Sequence, residues 1–162
     1  MTDTEATRPG EQGRAGKYLT FKLGPGHYGL EILKVREIIG LIGITAIPLA
    51  PDHVKGVINL RGTVIPVVDL RLKFGMPEVE ATAETCIIVA HVGDREIGVL
   101  VDQVSEVQYF TATDIQDPPA FGQGIDTDYI LGIGKVGDHV TLLLHINRVL
   151  NASEIADLCV TA

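Results

Sequence analysis

Residues 54–71 read VKGVINLRGTVIPVVDLR. Val54 to Leu60 is rich in β-branched and apolar residues, Arg61-Gly62 interrupts it, and Thr63 to Leu70 repeats the texture. That is a hairpin, with Gly62 free to take the positive φ that a tight turn requires. Pro66 has no N–H to give a neighbouring strand, which places it at a sheet edge or a bulge. The same spelling returns 76 residues later. Gly56, Val57, Leu60, Val64, Val67, Val68 and Leu70 match Gly132, Ile133, Val136, Val140, Leu143, Leu144 and Ile146, around a Gly137-Asp138 turn. A second block repeats at an offset of 69: Gly29, Ile32, Val35, Glu37 and Ile38 match Gly98, Val101, Val104, Glu106 and Val107. The chain therefore holds two copies of one small β-unit of about five strands. Closing such a unit into a barrel removes the open edges that invite aggregation. A barrel of about 60 residues buries too little surface to stand alone, so the two copies are expected to pack together.

The remaining elements fall into place around these blocks. Leu19, Phe21 and Leu23 alternate with polar residues, Gly24-Pro25-Gly26 turns the chain, and Tyr28 to Ile32 returns. Leu33 to Ile39 fits a short helix or a strand equally. Pro48 and Pro51 mark a loop, Leu72 to Gly75 one helical turn, and residues 76–84 a linker. Cys86 to Val92 is a strand, Gly93-Asp94 a turn, Glu96 to Val107 a long apolar stretch, and residues 114–128 a loop. Leu150 to Leu158 reads as the one real helix, with Asn151 and Glu154 spaced for a capping box. The expected boundaries are a mobile tail over residues 1–16, a first barrel over about 18–75, a second over about 85–146 and a C-terminal helix over about 150–159. The fold class is all-β.

Composition narrows the function. The 162 residues carry 13 Lys and Arg against 21 Asp and Glu, a formal charge of −8. That sign excludes the positive field needed for nucleic acid, and it opposes adsorption to anionic lipid. Hydrophobic residues make up 46%, aromatics only 5%, and there is no Trp, so a globular domain with an aliphatic core is expected. Cys86 and Cys159 form neither a disulfide framework nor a metal motif, which fits a reducing compartment. The first residues lack the apolar stretch of a signal peptide, and no run approaches the roughly 18 residues of a membrane span. A soluble, cytoplasmic protein without direct membrane insertion is expected.

Candidate chemistry is sparse. Gly24, Gly26 and Gly29 spell a dinucleotide fingerprint, but a strand follows instead of the helix N-terminus that holds a pyrophosphate, and Pro25 removes a donor. His27, His53, His91, His139 and His145 show no helical i, i+4 pair and no accompanying cysteine pair, so they read as surface or strand histidines. Asp126 and Asp128 lie in a polar loop. The Asn151-Ala152-Ser153 acceptor is inert without a secretory signal. No nucleophile has an activating neighbour, so neither catalysis nor a metal or other cofactor is expected. Two residues carry more interest. Arg61 is a long cation at a hairpin tip between nearly uncharged strands: a solvated turn residue, the reading that the residues alone favour, or an arginine presented at an interface. Glu37 sits in the apolar run Val35-Arg36-Glu37-Ile38-Ile39, where a carboxylate needs water or a partner, and Arg61 is a plausible one.

At these residues the chain resembles a known family. The run Val54 to Arg71 is similar to the signature of the CheW family of chemotaxis coupling proteins, and Tyr28 to Ile38 is similar to its upstream motif. The resemblance spans about residues 17–159. It implies two SH3-like five-stranded β-barrels packed together. It also implies a non-enzymatic adaptor that links the cytoplasmic tips of chemoreceptors to the regulatory domain of the histidine kinase CheA, recruited to membrane-associated arrays through the receptors. The family's receptor groove falls on Val35, Glu37, Ile38, Arg61, Gly98 and Val104. Its kinase contact falls on exposed apolar residues around Ile42 and Ile44. A phosphorylatable receiver or kinase domains do not fit within this length, which leaves a stand-alone adaptor. A scaffold of a non-flagellar chemosensory pathway is an alternative within the class. A small-ligand-binding β-barrel is the alternative outside it, and the aliphatic strands offer no interior polar cluster to support one.

Overall fold

A computed structural model describes residues 14–117 and 129–150. Its strands are β1 (Gly16–Leu23), β2 (Gly26–Glu31), β3 (Val35–Gly40), β4 (Val54–Leu60), β5 (Thr63–Asp69), β6 (Cys86–Val92), β7 (Arg95–Val101), β8 (Gln103–Phe110), β9 (Ile115–Gln116), β10 (Ile130–Val136) and β11 (His139–Leu144). Two single-turn helices, α1 (Leu70–Lys73) and α2 (Ile146–Val149), follow β5 and β11. The ambiguous stretch after β2 resolves into both candidates, a 3-10 turn over Ile32–Lys34 and then β3. The long apolar stretch from Glu96 breaks at Asp102 into β7 and β8. The predicted helix over 150–159 lies outside the described residues apart from Leu150, and the predicted tail lies outside them apart from Arg14, Ala15 and Gly16.

Five strands form one sheet in the order β3-β6-β7-β5-β4, here called the central barrel; the other sheet, β8-β1-β2-β11-β10-β9, is the terminal barrel. This corrects the expected boundaries, because the barrels do not part at residues 76–84. Strands one and two of each copy pair with strands three to five of the other. The registers reproduce the repeat residue for residue. Val67 pairs with Gly98 across the parallel seam β5·β7, and their counterparts Leu143 and Gly29 pair across β11·β2. Ile38 pairs with Ile88 as Val107 pairs with Leu19. The physical reason is that both copies bury the same alternate positions, so the hydrophobic pattern is satisfied by either pairing and does not choose between them.

Each sheet closes on itself. In the central barrel the chain beyond β3 swings across to β4, where Thr45 and Val57 exchange both backbone hydrogen bonds at 2.9 Å. β9 does the same for β10, with Gln116 opposite Ile133. This closure explains Pro66. Val57, its antiparallel partner, spends its N–H and C=O on Thr45, so no donor is demanded of Pro66 by β4. Pairing to β7 begins one residue later, at Val67. Pro66 thus sits in an interior strand, at a non-hydrogen-bonded position of the β4·β5 ladder and one residue short of the β5·β7 ladder, rather than at the expected edge or bulge.

Side chains fill three cores. Ile58, Ile65, Val67, Ile87 and Val89 pack the central barrel. Tyr18, Phe110, Ile115 and Leu143 pack the terminal one, Tyr18 meeting Phe110 edge to face. The largest core lies between the sheets and draws Leu19, Phe21, Leu30 and Leu144 from one and Val68, Ile88, Val99 and Val101 from the other. Most apolar burial, the main stabilising term, therefore belongs to the union of the two barrels.

Candidate docking site

Among the described residues, four two-residue turns close tight hairpins. Gly24, Gly93 and Gly137 take the first central position in three of them, each with positive φ. In the fourth, between Leu60 and Thr63, that position is Arg61, at φ 52°, followed by Gly62 at φ 89°. Two positive φ values define a type I′ turn, whose twist matches the strands. Asn59 Oδ1 supports it by accepting from Gly62 N–H at 2.8 Å. A β-carbon in the left-handed region costs roughly 1 kcal/mol that glycine avoids, so Arg61 is held there against local preference.

The Arg61 guanidinium reaches Glu37 on β3 and forms the anticipated ion pair. β3 and β4 are the outermost strands of the sheet order, so the pair spans the line where the central barrel closes. Arg36 meets Glu96 of β7 and lies 3.8 Å from Glu37. Together Arg36, Leu60, Arg61, Thr63, Ile65 and Glu96 line a shallow recess at the barrel mouth. Arg61 is 63% exposed and Glu37 27%. An exposed pair of this kind adds about 0–1 kcal/mol to the fold, and the Arg61 side chain stays largely open to solvent.

The other family positions divide. Gly98 is buried in β7, and register aligns Glu37, Val89, Gly98 and Val67 in one row across the sheet. A β-carbon at Gly98 would stand 2.8 Å from Ile87 Cγ2 and 3.3 Å from Val67 Cγ2, so this position is held to glycine by the packing of the central barrel. Val35 and Val104 are repeat counterparts, both half-buried against the inter-sheet core from opposite sheets. Ile38 faces the other way from Glu37 and is exposed. The structure brings Glu37 and Arg61 together and leaves Val104 on the terminal barrel. Of the second pair, Ile42 is exposed as expected. Ile44 is half-buried against the central-barrel core, because the crossing to β4 folds it inward, and Leu41 is an exposed neighbour.

Sequence reasoning missed one constellation. Arg71 Nε and Nη2 donate to Asp102 Oδ1 and Oδ2 at 2.8 and 2.5 Å, and Gly24 N–H donates to Oδ2 at 2.7 Å. Arg71 follows β5, Asp102 joins β7 to β8, and Gly24 is the β1–β2 turn, so this clamp ties the two sheets together. The Arg71 hydrogen bonds hold the Asp102 carboxyl below the usual carboxylate range, with Gly24 helping and burial opposing. Nearby Asp69 caps α1 by accepting from Arg71 N–H at 2.9 Å, but burial raises its carboxyl above the ordinary value. The available signal was the lone aspartate interrupting the apolar run at Val101.

Two packed, closed barrels with apolar cores, and a charged recess at one mouth, have the form of a small protein-docking module. Comparison gives the family. The CheW-like domain matches residues 17–154. The chain is 41% identical to the chemotaxis protein CheW of Klebsiella aerogenes over 86% of this chain and 84% of that one. It is 35% identical to CheW of Rhizobium meliloti over 84% and 88%. The crystal structure of the scaffolding protein TtCheW from Thermoanaerobacter tengcongensis superposes with a TM-score of 0.77 at 33% identity, covering 83% of this chain and 92% of that chain. The chain belongs to the CheW family, shares its two-barrel SH3-like fold, and is an adaptor of chemotaxis signalling.

Proposed function

We propose that this adaptor couples the cytoplasmic tips of chemoreceptors to the histidine kinase CheA, without turnover of its own, and joins membrane-associated arrays through the receptors. Among the described residues no helix is long and apolar enough to cross a membrane. The receptor tip docks beside the Arg61 turn, with Glu37 orienting the guanidinium and Val35, Ile38 and Val104 supplying apolar contact. Gly98 acts from beneath. The kinase's regulatory domain docks separately, around Ile42. The observation that carries this reading is the backbone of Arg61: a non-glycine residue is held at positive φ where three equivalent turns use glycine. Strain retained at a surface position points to a role outside the fold.

The test is calorimetric titration of Arg61→Ala against a receptor-tip fragment and against the kinase's regulatory domain. An arginine at an interface centre is worth about 2 kcal/mol or more, so receptor affinity should fall about thirtyfold. Kinase affinity and melting temperature should hold. Unchanged receptor affinity would remove Arg61 from the site.

A further inference from the structure

The repeat gives every residue at the central barrel's mouth a counterpart at the terminal barrel's. Glu96 and Thr63, which line the recess beside Arg61, correspond to His27 and His139. Their rings stand 5.5 Å apart between centroids, inclined by 60°. His27 lies at the start of β2 and His139 at the start of β11, neighbouring parallel strands. The guanidiniums that neutralise the central recess have no equivalent here, since Gly137 replaces Arg61 and Ser105 replaces Arg36. His27 is half-buried and His139 exposed, so the pair is both held and reachable.

An ion bound by two imidazole nitrogens at about 2.0–2.1 Å, with a near-tetrahedral angle, sets the ring centroids about 5 Å apart. The observed 5.5 Å separation lies close to that spacing. We propose that His27 and His139 form a bidentate site for a divalent transition ion of the imidazole-preferring class, Cu2+, Ni2+ or Zn2+. Among the described residues no group of three or more His, Cys, Asp or Glu is placed to close the coordination, so water completes it. Lys22, opposite His27 across β1·β2, is the nearest cation by register, on a stem long enough to keep its charge in water. Backbone pairing across this seam covers only Tyr28–Leu30 with Leu142–Leu144. A bound ion would therefore clip the ends of two hairpins, one from each copy, just beyond the ladder. Binding to the folded state alone raises stability by mass action.

The experiment uses untagged full-length protein freed of metal with a chelator, titrated with NiCl2 in a calorimeter and melted with and without it. One ion per chain is expected, with a melting temperature higher by about 8 °C at a hundredfold excess over Kd. MgCl2 should give no shift. His139→Ala, an exposed change that leaves the fold intact, should abolish both signals, as should His27→Ala, while His91→Ala retains them. Absence of nickel binding, or binding that survives His139→Ala, overturns the proposal.

Discussion

The two hairpins β4–β5 and β10–β11 are copies of each other in sequence, register and place, and they differ at their tips. One carries Arg61-Gly62 with positive φ at both residues; the other carries Gly137-Asp138 with positive φ at the glycine alone. Under the fold, both have the same task of reversing the chain between paired strands. The glycine does it at no steric cost, and the arginine does it under strain while reaching Glu37. The carboxylate has a counterpart too, Glu106, but no guanidinium comes to meet it from Gly137. What the fold requires is thus visible in the terminal barrel, and what the central barrel adds to that requirement is the basis for the proposed docking face. The clamp breaks the symmetry in the same manner. Arg71 and Asp102 correspond to Asn147 and Leu33, and Leu33 is almost fully exposed.

The comparison can be broken hardest at the bulge glycines. Gly56 has φ 144°, and a β-carbon there would fall 2.0 Å from Thr45 O. Its counterpart Gly132 has ordinary φ and would meet the side-chain atom Ile115 Cγ2 at 2.6 Å. Gly56→Ala should cost about 3 kcal/mol or more in urea unfolding, and Gly132→Ala clearly less, because backbone yields less readily than a methyl group. Equal losses would mean that the two closures are mechanically alike.

The clamp comes next. Arg71→Gln should cost about 1.5–3 kcal/mol, the range for hydrogen bonds to charged groups. Asp102 has a lowered folded-state pKa, so its contribution is complete above the unfolded carboxylate value and is lost as pH falls through the folded one. Asp69, raised by burial, carries the opposite sign and loses stability as pH rises through its folded-state value. Between about pH 5 and pH 3 the melting temperature of Asp102→Asn should therefore fall less steeply than that of the parent. Parallel curves would show that the clamp is not the acid-sensitive element.

The smallest effects sit at the tips. Gly137→Arg should destabilise by about 1 kcal/mol and add no receptor affinity, since the turn alone does not make the site. Arg61→Gly should leave stability within about 0.5 kcal/mol of the parent, relief of strain offsetting the lost ion pair. If Arg61→Gly were strongly destabilised, the arginine would be structural and the contrast between the hairpins would vanish.

Much of this is legible in the sequence itself. The offsets of 69 and 76 residues are the ones that the strand registers obey, and the Glu37–Arg61 pair followed from a buried-looking carboxylate and a cation at a turn. Pairing between copies was not legible, because Ile88 and Leu19 present identical faces to either β3 or β8. Pro66 was misplaced because a donor count per strand ignores which partner each neighbour already serves. Ile44 looked exposed because nothing in an apolar loop tells where the chain turns inward. The strain at Arg61 was equally invisible, since Asn, Asp or Gly is the ordinary occupant and sequence alone gives no φ.

Exchange between copies also sets a schedule for synthesis. The hairpin β1–β2 leaves the ribosome well before its partners β8 and β11, and the whole central barrel lies between. Roughly a hundred residues separate the hairpin from its final strand, about 5–20 s of elongation at ordinary rates. During that interval Leu19, Phe21 and Leu30 have no sheet of their own to join. The nascent chain must then either lean that hairpin on the emerging central barrel, whose outer face is the same inter-sheet core, or be shielded by another protein until β11 arrives.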